Sequence, residues 1–235
     1  MRTNELGQPI GEPVPGWQPK GPVQPVVLTG RSCRLEPLSA THADGLYDAL
    51  VQRSGPQVWT YMFHGPFSDR PAFDAYLVAL HELPGVTPFA VLATDGTELG
   101  VMTYLRDDPA NGSVEVGHIA LSGSIQRTTL ATETMFLMTR HVFDDLGYRR
   151  FEWKCDSLNE PSRRAATRFG FGYEGRFRNA LVYKGRNRDT AWFAMTDGDW
   201  QRLRPAYQAW LDLANFDPDG NQRKALSTLT KEALQ

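Results

Sequence analysis

The sequence predicts an α+β fold around a mostly antiparallel sheet, and three observations carry that prediction. Asp95-Gly96 and Asn111-Gly112 each separate two apolar runs, the pattern of tight turns that fold consecutive strands back on one another. Residues 131–146 place Met135, Met138, Val142 and Leu146 on one stripe before Gly147, which reads as an amphipathic helix with its stop. Residues 150–155 alternate Phe151, Trp153 and Cys155 with Glu152 and Lys154, a strand with one buried face.

The elements follow in order. Residues 1–31 carry Pro9, Pro13, Pro15, Pro19, Pro22 and Pro25, which resist helix and central strand, so this segment is an arm rather than a domain. Trp17 and the run Pro25-Val26-Val27-Leu28 suggest that part of it docks on the body. A strand is expected over 32–38, then a helix capped by Ser39 or Thr41 and reaching about Val51. The stretch 56–67 is aromatic and irregular, with Trp59, Tyr61, Phe63 and His64. Ser68 or Asp69 caps a second helix that Pro84-Gly85 ends. Three strands over 89–93, 99–106 and 113–121 form the meander, the helix and the strand already named come next, and a short helix starts at Asn159 or Ser162. Two strands, about 173–184 and 189–196, flank a turn at 184–188, a helix covers 198–216, and a polar tail expected to fray begins at Asp217. The order is βαα-βββ-α-β-α-ββ: an arm at 1–31, one catalytic domain at 32–197, and a helix with a tail at 198–235.

Composition narrows the function. Hydrophobic residues make up 41% and charged residues 22%, and a formal net charge of -2 gives no reason to expect a nucleic-acid partner. Cys33 and Cys155 stand apart without a CxxC or Cys/His cluster, so neither a disulfide framework nor a metal site is expected. No apolar run approaches the ~20 residues that span a bilayer. The polar, Pro-rich N-terminus lacks a leader pattern, and a cytoplasmic protein without a membrane partner is the expectation.

The chemistry concentrates between Val114 and Met195. A strand (114–121), a short loop (Gln126, Arg127, Thr128, Thr129, Leu130) and a helix beginning near Ala131 and Thr132 present unpaired backbone N–H groups and the positive end of a helix dipole, which suits a pyrophosphate. An ordinary strand-to-helix connection capped by Thr132 would show the same residues. The loop resembles the Gln/Arg-x-x-Gly-x-Gly/Ala signature of the GNAT acetyltransferases. Ala131-Thr132-Glu133 is similar to the Ala-Thr-Glu of the branch that acetylates ribosomal-protein N-termini. Leu146-Gly147-Tyr148-Arg149-Arg150, Asn159-Glu160-Pro161-Ser162, Arg168-Phe169-Gly170-Phe171 and Glu174-Gly175 follow in that branch's order. One departure is plain: Thr129 occupies the place of the signature's first glycine, after Thr128, so either the loop has another shape or the threonine hydroxyls join the phosphate contacts.

The resemblance implies a mostly antiparallel GNAT-like sheet in which a bulge near Ile119, Ala120 and Leu121 splays that strand from 150–155, leaving a slot for acetyl-CoA as co-substrate, with no metal. It implies that Asn159 bonds the pantetheine and that Ser162 donates a proton to the leaving thiolate. Arg163, with Arg164 and Arg168, is placed near the donor's 3′-phosphate. Glu115, on one face with Gly117 and Ile119, is the expected general base, with His118 on the other face as its rival. A solvated strand glutamate, a helix cap and a solvated basic face are the plain alternatives for Glu115, Ser162 and the arginines. The expected activity is N-acetyl transfer to an amine acceptor, a protein N-terminus or a small molecule. The first rival is a silent acyl-CoA-binding regulatory module; the second, a nucleotide-dependent transferase, lacks a GxxxxGK[ST] or strand-linked GxGxxG motif. Oligomeric state is open, a homodimer included.

Overall fold

A computed structural model describes residues 2–235. The arm forms a short hairpin, β1 (Arg2–Thr3) with β2 (Pro9–Ile10), and ends in β3 (Leu28–Thr29), which joins the main sheet beside β4 (Cys33–Pro37). A helical stretch containing α1 (Ala43–Tyr47) and then α2 (Arg70–Glu82) precede the meander β5 (Val86–Ala93), β6 (Glu98–Asp108) and β7 (Ser113–Leu121). Then come α3 (Thr129–Arg140), β8 (Arg150–Asp156), α4 (Glu160–Arg168), the hairpin β9 (Gly172–Tyr183) and β10 (Arg186–Thr196), α5 (Asp197–Leu211) and α6 (Leu226–Leu234). From β4 to β10 this is the order expected from the sequence.

Eight strands make one sheet in the order β3-β4-β5-β6-β7-β8-β10-β9. Every pairing is antiparallel except β7 with β8, which is parallel because α3 carries the chain back across the sheet between them. One face packs on α3, α4 and α5 through Val114, Val116, Phe151, Trp153 and Cys155. The other face packs on the α1–α2 region through Ala90, Leu92, Val101 and Ala120. No described helix is long and apolar enough to cross a membrane.

Two expectations at the termini are settled by packing. The arm is docked: Trp17 donates from Nε1 to the Ala110 carbonyl (3.0 Å), and Val23 N–H donates to Asp107 (2.8 Å). The tail does not fray. Leu226 is fully buried, and the Thr230 hydroxyl donates to the Arg168 carbonyl (3.2 Å), so α6 closes over α4 and α5. Its apolar stripe, Leu226, Leu229 and Ala233, is one residue wide and is hidden in a run of polar residues.

Candidate active site

The splay is built into β7. Thr103 pairs with Gly117 and Val101 with Ala120, so His118 and Ile119 together oppose Met102: a one-residue bulge, with His118 at φ 46°. The bulge therefore begins one residue before the expected place. Its effect on the parallel neighbour is direct. Pairing between β7 and β8 runs from Ser113↔Arg150 to Val116↔Trp153 and stops there. Beyond it, the facing backbone edges of 118–121 and 154–156 have no partner across the gap.

The bulge also reverses the alternation on which the sequence reading relied. Ile119 and Leu121 pack toward the α3 side, whereas Ala120 joins the α1–α2 side. Glu115 thus shares its face with Gly117 and Ala120, not with Ile119, because the extra residue shifts every later side chain by one. His118, expected to point away, comes within the electrostatic reach of His64 on the α1–α2 loop; burial first, and His64 second, hold its imidazole below the ordinary histidine range.

Glu115 is buried, and its two oxygens have different surroundings. Oε2 lies 2.8 Å from Lys154 Nζ and 3.3 Å from Arg106 Nε, with the ammonium off the axis of a hydrogen bond. Oε1 extends along the strand toward the bulge: a Cβ on Gly117 would sit 3.7 Å from it. Lys154 continues the chain to Glu152 (2.6 Å) and lies 3.8 Å over the Trp192 ring. Burial raises the Glu115 carboxyl above its ordinary range, and the attraction of Lys154 and Arg106 only partly offsets it. Glu152 is the opposite case. Burial pushes it up, but hydrogen bonds from Lys154 and Arg150 outweigh that and hold it below the ordinary value.

The loop before α3 is the second half of the site. Thr128 caps the helix, its Oγ1 accepting from Ala131 N–H (3.4 Å) and donating to the Ile125 carbonyl (2.7 Å). Its hydroxyl is thus committed within the chain, whereas the Thr129 hydroxyl is exposed and bonds to nothing in it. Arg127 adopts φ 67°, which turns the loop so that the amides of Gln126, Arg127, Thr129 and Leu130 donate to no group of the chain. Gln126 braces the turn from its side chain, Nε2 to the Leu121 carbonyl (3.0 Å). Thr132 is structural: its hydroxyl donates to the Thr128 carbonyl and accepts from Arg168. Glu133, the last residue of the Ala-Thr-Glu motif, accepts from Arg31 N–H (2.7 Å) and Ser32 N–H (2.8 Å), tying the end of the arm to the helix that carries the loop.

Asn159 and Ser162 stand at the start of α4, at the open end of the splay. Asn159 Oδ1 accepts from Ser162 N–H (3.2 Å), leaving its amide nitrogen as a donor. Ser162 Oγ accepts from Trp153 Nε1 (3.0 Å), which leaves its proton free to be given away. The basic cluster is not brought together. Arg163 pairs with Glu160 and lines a groove with Tyr173, Arg176 and Arg178 over β9 and β10; Arg168 stacks on Phe169 and Trp210; Arg164 is exposed. Of the aromatic loop, Trp59 is core, while Phe63 is exposed and meets Tyr183 edge-on.

Residues 33–172 match the acetyltransferase (GNAT) domain family. A GCN5-related N-acetyltransferase from Brucella melitensis is 43% identical, with a TM-score of 0.89 over 93% of this chain and 100% of that one. The SPbeta prophage-derived uncharacterized N-acetyltransferase YokL of Bacillus subtilis is 26% identical over 113 residues, 48% of this chain and 63% of YokL, so the match spans less than two thirds of that curated relative. The Salmonella typhimurium acetyl transferase that modifies the N-terminal serine of 50S ribosomal subunit protein L7/L12 shares the fold at 18% identity, with a TM-score of 0.62 over 73% of this chain and 99% of that one.

Proposed function

The chain belongs to the GNAT acetyltransferase family, and on that premise we propose that it moves an acetyl group from acetyl-CoA directly to a primary amine in the splay between β7 and β8. The observation that carries this reading is the coincidence of two features: strand edges left unpaired by the bulge, and the free amides of the loop at 126–130 at one end of them. The first suits an extended pantetheine pairing as a strand would, and the second suits its pyrophosphate. The Thr129 hydroxyl adds a donor where a glycine would leave bare backbone. No residue of the loop needs to move to expose these groups.

Acetyl-CoA supplies an activated acyl group, so the chain has to deprotonate an ammonium, hold the amine against the carbonyl carbon, and protonate the departing sulfur. We assign the first task to Glu115 Oε1, directly or through one water: Oε2 is anchored by Lys154, Oε1 is open toward the bulge, and burial makes the carboxylate a stronger base than an exposed one. The ammonium gives its first proton to Glu115; a C–N bond then forms as the C–S bond breaks, Ser162 gives its proton to the thiolate, and the second proton lost by the nitrogen as it becomes an amide restores the serine hydroxyl. Asn159 would donate to the pantetheine from its amide nitrogen.

A protein N-terminus is our first choice of acceptor, supported by the Ala131-Thr132-Glu133 motif and by the fold shared with the L7/L12-modifying enzyme. Cys33 and Cys155 are buried free thiols, which supports a reducing compartment. Thermal melting with CoA, followed by thiol release from acetyl-CoA across a panel of amines, tests the whole reading. At a hundredfold excess over its dissociation constant, CoA should stabilise by about 2.7 kcal/mol. No shift at millimolar CoA would overturn the assignment, and a shift without thiol release would favour a silent binding module.

A further inference from the structure

We propose that Arg188 recognises an anionic group on the acceptor, so that the preferred substrate is a primary amine bearing a carboxylate a few bonds from its nitrogen. This rests on the acyl-transfer reading and narrows its acceptor.

Arg188, on β10, is the one arginine buried among the described residues, with 7% of its surface exposed. Nε donates to Thr190 Oγ1 (3.2 Å), and the guanidinium lies over the rings of Phe63 (5.2 Å) and Tyr183 (5.8 Å). Among the described residues no carboxylate pairs with it, and its two terminal amino groups donate to nothing. The acid beside it in the sheet is already committed: Asp156, paired in register with Thr190, accepts from the Tyr183 hydroxyl (2.7 Å) and from Leu158 N–H (2.9 Å). A less buried arginine elsewhere does find acids, as the half-buried Arg150 does with Glu152 and Glu174. Its stem and Nε are buried while the two amino groups stay open to solvent, so the fork is reachable by an incoming anion.

The fork is also placed for the reaction. Thr190 and Trp192 share the face on which Lys154 meets Glu115, so Arg188 stands on the base's side of the sheet, one strand beyond the open end of the splay. The α1–α2 loop is fastened over it. Lys184 Nζ donates to the carbonyls of Trp59 (2.8 Å) and His64 (3.1 Å), Arg186 to that of Thr60 (2.9 Å), and the Tyr61 hydroxyl to that of Leu158 (3.1 Å). Lys184, Arg186 and Arg188 thus bring three cations under the α1–α2 loop, and none pairs with a carboxylate among the described residues. A planar fork held against two rings matches a carboxylate in two-point contact, which an ammonium on lysine cannot reproduce.

The carboxylate has two sources, a free amino acid or an acidic residue at a peptide N-terminus, and paired acceptors separate them. Thiol release from acetyl-CoA is measured with free amino acids against their amides, and with peptides carrying Asp or Glu near the N-terminus against the Asn or Gln versions. Wild-type protein should favour the carboxylate member of one pair about ten- to hundredfold in kcat/KM, the span of a hydrogen bond to a charged group. Arg188→Met should erase that preference through KM, Arg188→Lys should restore part of it, and neither should change the CoA-induced melting shift. Equal use of acid and amide by the wild type would overturn the proposal, and needs no variant to fold. So would an equal loss on both acceptors in Arg188→Met. Preserved CoA binding and turnover of neutral amines in either case would leave the acyl-transfer reading standing; absence of turnover with every amine would remove both.

Discussion

Replacing Glu115 by Gln separates the chemistry from the ion pairs that surround it. The substitution keeps the shape and a carbonyl oxygen but removes the charge that Lys154 meets at 2.8 Å and Arg106 at 3.3 Å. Breaking a buried pair outright costs about 3–5 kcal/mol because a charge is stranded. Here burial outweighs the attraction of Lys154 and Arg106, and Lys154 keeps Glu152 at 2.6 Å and the Trp192 ring at 3.8 Å, so loss of the charge should cost no more than about 1 kcal/mol, a small change in Tm. Turnover should fall far more, about 10²- to 10⁴-fold, with the CoA dissociation constant unchanged. The pH dependence carries the sharper signature. Wild-type kcat/KM should rise as Glu115 loses its proton and then level off, whereas the variant should keep climbing as the acceptor amine itself becomes neutral, near pH 8 for an α-amine. The sign in stability is opposite to that of an ordinary carboxylate. Because burial raises the folded carboxyl above its unfolded value, the folded protein binds the extra proton, and the wild type's advantage over the variant shrinks as pH rises through that window. Steady-state thiol release and melting from about pH 4, near the ordinary carboxylate value, to about pH 9 measure both. Wild-type turnover by the variant near neutral pH would remove Glu115 from the mechanism and pass the role to His118.

The two threonines of the loop before α3 should separate cleanly. Thr129→Val should weaken CoA binding by about 0.5–1.5 kcal/mol in titration calorimetry, with Thr129→Gly tolerated, since the hydroxyl is exposed and unpaired. Thr128→Ala should instead lower Tm, by the ~1 kcal/mol of a lost helix cap. Glu133→Gln leaves one acceptor oxygen for two backbone N–H groups and should cost about 1–3 kcal/mol, with faster tryptic cleavage at Arg31 as the local readout.

The order of elements from β4 to β10 and the turns at Asp95-Gly96 and Asn111-Gly112 were legible in the chain, because each is written in neighbouring residues, whereas α3 starts at Thr129 under a Thr128 cap, two residues before the expected start. Hairpin turns, helix caps and apolar periods act over a few positions, and a sequence displays them directly. The arm and α6 were not, since a proline-rich stretch and a weak stripe become ordered only against partners such as Ala110 and Arg168, more than 60 positions away. The bulge at His118 and Ile119 is the deciding case. Strict alternation set Ile119 beside Glu115, and one extra residue in the β6–β7 register moved it to the other face and put Ala120 in its place. Arg188 left no trace in the sequence at all. An arginine in a Lys-Gly-Arg-Asn-Arg turn reads as solvated until the α1–α2 loop, more than 100 positions earlier, closes Phe63 over it. Local propensity determined which segments are strands and helices; only the pairing of distant segments decided which charges are buried, which oxygen of Glu115 is open and which cation waits without a partner.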